Sequence, residues 1–173
     1  MERAGISPED FAINHPAGSL GRQLTLTVAD LMVPATDLEG LSPQAPLAEV
    51  IGQLTQGSNG KGSLGAAWVQ ASGDPRQMAG LITDGDLRRT LQRHPPESWA
   101  SIRAGAMATA DPITVAPQTL AITALELMER NPRQAISVLP VVDPVRPGQL
   151  LGLLRLHDLV QAGFSTNPAA ERP

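Results

Sequence analysis

Residues 80–89 read "GLITDGDLRR", and the periodicity changes halfway through them. Gly80 to Thr83 carry the apolar pair Leu81–Ile82, as the end of a strand would. From Asp84 the charged residues and Leu87 follow helical spacing. Thr83 therefore closes a strand, and Asp86 opens a helix one short turn later. Upstream, "LGAAWVQ" (64–70) and "QMAGLIT" (77–83) read as two strands flanking the loop "ASGDPR" (71–76), whose Gly and Pro suit a turn. Before them, "PLAEVIGQL" (46–54) places Leu47, Val50, Ile51 and Leu54 on one helical face.

Working outward, the same order recurs. "LAITALELM" (120–128) is a second amphipathic helix, with Ala121, Ala124, Leu125 and Met128 in its stripe. "SVLPVVD" (137–143) and "LLGLLRL" (150–156) are the second strand pair around "PVRPGQ" (144–149), and "DLVQAG" (158–163) the closing helix. Leu47 and Leu120 stand 73 residues apart, Gly80 and Gly152 stand 72 apart, as do Asp86 and Asp158. "ADLMVP" and "GAMATADPITV" lead the two halves, with Met32 and Met107 offset by 75. The unit is leading segment, helix, strand, strand, helix, twice over. Strand and helix periods side by side predict small sheets covered by helices. A half of about 60 residues is marginal alone, and two together bury much more surface.

Composition narrows the function classes. The 173 residues carry net charge −4 with no basic stripe interleaved with aromatics, which argues against nucleic acid. There is no cysteine, so disulfides and thiolate metal sites are excluded. No apolar run approaches 18 residues, so no membrane span and a cytoplasmic protein are expected. With two Trp, two Phe and no Tyr, the core is built from Leu, Ile, Val and Ala. "TDGD" offers two carboxylates but no cage for a cation, and His15, His94 and His157 sit in unrelated segments, so no metal site is expected.

The repeated unit resembles a CBS domain, and the pair resembles a Bateman module; "GLITDGDLRR" and "LPVVD…LLGLLRLHDL" (139–159) carry the likeness. The resemblance implies an α/β (α+β) fold of two tandem CBS domains. Each is a small mixed sheet with two helices, and the two pair pseudo-symmetrically. Expected bounds are a junction over 1–26, a first domain over 27–93, a linker over 94–105, a second domain over 106–163 and a disordered tail over 164–173. "SPEDFAINHPAGSLGRQLTLTVADLM" (7–32) resembles the junction of arabinose-5-phosphate isomerases of the KpsF/GutQ type. In that family a sugar-isomerase (SIS) domain precedes the junction. "HPAGSLGR" (15–22) then resembles the last piece of an active site whose body is absent from this chain. The matching histidine of that family assists ring opening or proton transfer. An aldose–ketose isomerisation needs several positioned proton donors and acceptors, so His15 is expected to be vestigial here, with Ser19 and Arg22 idle beside it.

For the cleft, the resemblance implies Thr83 toward a phosphate and Asp86 on a ribose. Arg88 and Arg89 would supply charge, and Ile113, Val138 and Pro140 would line a base pocket. The bland alternative is that Asp84 is an N-cap and Asp86 only favours the first turn, with Val138 and Trp68 in the core. In the second half Asp158 matches Asp86, but Arg155 replaces Thr83; it can grip a phosphate or fill the pocket. Three functional readings follow. One is a regulatory module that requires no cofactor and senses AMP, ADP, ATP or a CMP-sugar for an SIS domain in the full-length protein. Another is a ligand-free oligomerisation module, a homodimer or higher oligomer held through "LQRH" and "LVQAGF". The last is the isomerase itself, against which stands the missing catalytic domain.

Overall fold

A computed structural model describes residues 21, 24–57, 62–131 and 135–164; the expectations for His15, Ser19, Arg22 and the segment from residue 165 fall outside them. The first half holds α1 (Val28–Leu31), β1 (Val33–Pro34), α2 (Leu47–Gln56), β2 (Ala66–Ala71), β3 (Asp74–Thr83) and α3 (Asp84–Arg93). A 3-10 turn over Pro96–Ser101 leads to α4 (Ala104–Met107), α5 (Ala121–Glu129), β4 (Val138–Val142), β5 (Leu150–Arg155) and α6 (Leu156–Gln161). The fold is mixed α+β. The expected helical stripes are buried except at Ile51: Leu47, Val50 and Leu54 of α2 are buried while Ile51 is 36% exposed, and Ala121, Ala124, Leu125 and Met128 of α5 are all buried.

β2 and β3 form an antiparallel hairpin with Trp68 opposite Leu81 and Ala66 opposite Thr83. Its turn is shorter than the loop expected from the sequence, because β3 already starts at Asp74. Gly73, at φ 98°, supplies the left-handed residue of the turn. Pro75 falls in a break of the pairing register, where its missing N–H is tolerated. β4 and β5 are antiparallel with Pro140 opposite Leu153, and β1 adds to the far edge of β5. Single parallel bridges, Leu41 to Val69 and Val115 to Val141, give each sheet its mixed character.

Strand alternation sorts the side chains into layers. Ala66, Trp68 and Leu81 of one sheet and Val138, Leu150 and Leu153 of the other form one buried cluster, so the two sheets face each other. The intervening residues point the other way. Ala67, Val69 and Ile82 pack with α2 residues, and Leu139, Val141 and Leu154 pack with α5 and α6 residues. Each fully buried leucine there contributes about 1.5–3 kcal/mol.

The leading segments are exchanged. Val28 of α1 is buried with Val115, Leu125 and Leu154 of the second half, and Ile102, Ala104 and Met107 are buried with Leu41, Val50 and Ile82 of the first. Backbone bonds hold the exchange: Val28 N–H to Thr119 C=O at 2.8 Å, and Ala104 N–H to Ala45 C=O at 2.9 Å. Two glycines make room for it. A Cβ on Gly152 would lie 2.5 Å from the Val33 carbonyl oxygen, and one on Gly80 would lie 2.8 Å from that of Thr109. The spans 27–93 and 106–163 thus describe the sequence repeats, while each packing unit draws on both. Phe164, placed by sequence at the start of the tail, is buried in the second core, with its N–H on the Leu159 carbonyl at 3.0 Å. Leu159 is buried beside it, so most of the apolar content of "LVQAGF" is used inside the chain.

Candidate functional site

The strand-to-helix junction at Thr83 is the starting point. Thr83 ends β3 in extended backbone and is the N-cap of α3, so the cap falls one residue before the Asp84 expected from sequence. Asp86, at the third helical position, reaches back. Its Oδ2 accepts the Thr83 N–H at 2.8 Å and the Thr83 hydroxyl at 2.7 Å. Its Oδ1 accepts from Arg89 Nη2 at 2.5 Å. This is the carboxylate half of a capping box, and it satisfies a backbone N–H that the helix leaves orphaned. Asp86 is nine-tenths buried, while the Arg89 side chain is 43% exposed.

The same device occurs twice more. Asp30 Oδ2 accepts the Thr27 N–H at 2.8 Å and the Thr27 hydroxyl at 2.7 Å. Those bonds, the backbone one first, hold the Asp30 carboxyl below its ordinary value. "TVAD" (27–30) has the spacing of "TDGD" (83–86), a signal present in the sequence that no expectation above used. At the third place Arg155 stands where the others have threonine. Its Nε donates to Asp158 Oδ2 at 2.8 Å and its Nη2 to Asp158 Oδ1 at 2.5 Å, a bidentate pair. The hydrogen bond to Asp158 raises the Arg155 pKa above its ordinary value.

Two cavities open at these helix starts. The first, about 370 Å³, is lined by Leu81, Thr83, Asp86 and Arg89 from the first half and by residues 111–113 and 135–138, with Asn131, from the second. Thr83, Asp86, Ile113 and Val138 are thus brought together, with Ile113 42% exposed. Asp111, Asn131 and Ser137 are polar lining residues that the sequence did not single out. The second cavity, about 500 Å³, lies between the starts of α3 and α6 and is bordered by Ser63, Thr83, Ser137, Arg155 and His157. Arg88 is exposed and lines neither of these two cavities. Pro140 is buried in β4 with its carbonyl on the Val115 N–H at 3.0 Å, and Asp158 is turned to Arg155; they too line neither. Trp99 donates its indole N–H to the His94 carbonyl at 2.9 Å, in the join between the halves.

Among the described residues no three His, Cys, Asp or Glu side chains cluster as metal ligands would, and no helix is long and apolar enough to cross a membrane. The arrangement is therefore a mixed polar and apolar cleft with acceptors and donors at helix starts. It suits recognition of a small polar molecule.

Comparison with known proteins agrees with this geometry. The CBS domain family matches residues 104–165. The chain is 36% identical over 163 residues to the arabinose 5-phosphate isomerase KdsD of Yersinia pestis, covering 94% of this chain and 45% of that protein. It is 36% identical over 154 residues to the isomerase KpsF of Escherichia coli, covering 87% of this chain and 41% of that protein. The chain thus spans less than half the length of the curated relatives it matches. Among solved structures, CBSX2 in complex with AMP superposes with a TM-score of 0.61 at 24% identity, over 79% of this chain and 95% of that one. The CBS domain of a bacterial CNNM/CorC family Mg2+ transporter in complex with ATP superposes with a TM-score of 0.63 at 16% identity, over 90% and 96%. The repeat, the facing sheets and these likenesses lead to one conclusion: the chain carries a CBS domain and is folded as a CBS pair.

Proposed function

We propose that this chain is the regulatory CBS-pair module of a sugar-phosphate isomerase of the arabinose-5-phosphate type, and that it binds a nucleotide or sugar nucleotide in the cleft between its halves. The observation that carries this reading is the cavity of about 370 Å³ shared by Thr83 and Asp86 with Ile113 and Val138. Its size lies within the range of small-molecule pockets, roughly 300–1,000 Å³. Asp86 Oδ1, once released by Arg89, is an acceptor for ribose hydroxyls. Arg89 is a donor for a phosphate, and the Thr83 hydroxyl becomes one when its single proton turns from Asp86 Oδ2 to the ligand. Val138 and Ile113 supply apolar cover for a base. The solved neighbours bound to AMP and to ATP favour an adenine nucleotide first, with ADP and a CMP-sugar as the other candidates.

In the same reading the catalytic step belongs to an SIS domain of the full-length protein in the cytoplasm, and His15 has no chemistry in this chain. Copies associate through their CBS pairs. The exposed residues Leu120, Ile122 and Leu127 at and along α5 are the contact. To regulate, the ligand must favour one arrangement of the halves over another.

A second reading, a ligand-free scaffold, is favoured by one observation: both Asp86 oxygens already have donors in Thr83 and Arg89. A thermal-shift titration separates the two. A nucleotide at about a hundred times its Kd stabilises the fold by about 2.7 kcal/mol. AMP, ADP, ATP or a CMP-sugar is expected to raise the melting temperature, and Asp86→Ala to abolish that rise while remaining folded. No rise with any of the four supports the scaffold.

A further inference from the structure

The repeats give residues of the open cavity counterparts in the other half. The parallel bridges set the alignment, because Leu41 pairs with Val69 as Val115 pairs with Val141. On that alignment Pro112, Ile113, Ile136, Val138 and Leu81 of the open cavity correspond to Leu38, Glu39, Leu64, Ala66 and Leu153. Those five residues do surround one space, but it measures about 10 Å³ against about 370 Å³ on the other side. A space that small is at the limit for a single water.

One side chain, Trp68, lines the small space and accounts for its volume, and a second, Arg155, changes the helix start beside it. At the position equivalent to Pro140, β2 carries Trp68, which is 5% exposed and packed with Leu153 and Leu38 between the sheets. Its indole also presses on Gly40, where an added Cβ would lie 2.6 Å from the ring atom Cζ2. The indole N–H is buried and has no hydrogen-bond partner among the described residues. At the helix start, Arg155 stands in place of Thr83 and holds both oxygens of Asp158.

We propose that the module takes one ligand per chain, because the second of its two symmetry-related sites is occupied from within. The Trp68 indole fills the volume that a planar base would take, and the Arg155 guanidinium holds the carboxylate that a ribose would use. Trp68 and Arg155 are thus specificity-determining residues that make a two-fold repeat respond to a single signal. The inference rests on the nucleotide reading above for the nature of the ligand, but the filling of the second site does not depend on it.

Calorimetric titration of the whole chain with AMP tests it. One site is expected, and two sites overturn the inference while leaving the nucleotide reading intact. Trp68→Leu combined with Arg155→Thr is expected to bind two AMP molecules; a double variant that is folded by circular dichroism and still binds one overturns it. If AMP binds neither protein, that failure belongs to the nucleotide reading, and indole decides the inference. Indole is expected to raise the melting temperature of Trp68→Ala, or to restore its helical signal if the variant is unfolded, and to leave the wild type unchanged. Failure of indole to do either overturns the inference.

Discussion

Replacing Gly152 by alanine tests the exchanged architecture most directly. The new Cβ would lie 2.5 Å from the Val33 carbonyl oxygen and 2.8 Å from Met32 Sδ. The methionine can move, but the carbonyl belongs to β1, which pairs with β5 at Val33–Leu153 and Pro34–Gly152. Overpacking of this kind costs about 1–3 kcal/mol. Displacing β1 adds about 1 kcal/mol for a backbone hydrogen bond it can no longer make. Against this, alanine stabilises through the unfolded chain by about 0.4–1 kcal/mol. The net loss is about 2 kcal/mol, which at 2–4 °C per kcal/mol lowers the melting temperature by roughly 4–8 °C. Gly52→Ala is the control. Nothing lies within 4 Å of a Cβ there, and the residue sits inside α2. Alanine is favoured over glycine in a helix interior by about 0.8–1.0 kcal/mol, so this variant is expected to melt a few degrees higher. Thermal melts by circular dichroism read both. A Gly152→Ala melting temperature equal to that of the wild type, beside a raised Gly52→Ala, would refute the docking of β1 against β5.

Other expectations follow from the same contacts. Gly80→Ala places a Cβ 2.8 Å from both the Thr109 oxygen and the Ala108 Cβ, and its melting temperature is expected to fall like that of Gly152→Ala. Leu154→Ala empties a fully buried position in the second core and is expected to cost about 2–5 kcal/mol in urea unfolding. Asp30 has a folded pKa below its ordinary 3.8, so its contribution to stability is complete above 3.8 and is lost as pH falls through the folded value. The melting-temperature gap between wild type and Asp30→Asn is therefore expected to be constant from pH 7 to about pH 5 and to close in stronger acid; a gap that widens on acidification would contradict this sign. Arg155→Ala removes the bidentate partner of a largely buried Asp158 and is expected to cost about 1 kcal/mol, with little response to salt.

Much of this architecture was legible because helices and strands announce themselves by period. Leu47, Val50 and Leu54 recur at helical spacing, and the strand residues from Val138 to Val142 form a short apolar run between turns. The helix start at Thr83 and Asp86 was legible for the same reason, since a change of period marks the place. The exchange was not. A four-residue segment such as Val28–Leu31 shows that it buries one face, yet nothing in its own residues says whose core receives it. The hairpin turn came out shorter than "ASGDPR" suggests because Pro75, ordinarily a strand breaker, falls in a register irregularity. Phe164 was misplaced because one aromatic beside a polar, Pro-containing tail carries no periodic signal. At the cleft, Trp68 was legible as a core residue from strand alternation. That it fills one cavity while its counterpart Pro140 leaves the other open depends on volume in three dimensions, which spacing does not encode.

The exchanged leading segments have a mechanical consequence. A chain joined ahead of Leu24 first meets the second half, since Ala121 N–H bonds to the Leu26 carbonyl at 2.8 Å and Val28 is buried in that core. Tension at that end pulls on the half that is farther along the sequence, and it reaches the first half through the clasp at β1 and β5 and through the buried cluster the two sheets share. Cutting the chain near residue 95 would release no self-sufficient domain, because each fragment would carry away part of the other's interior. The pair is a buckle that closes or opens as one piece.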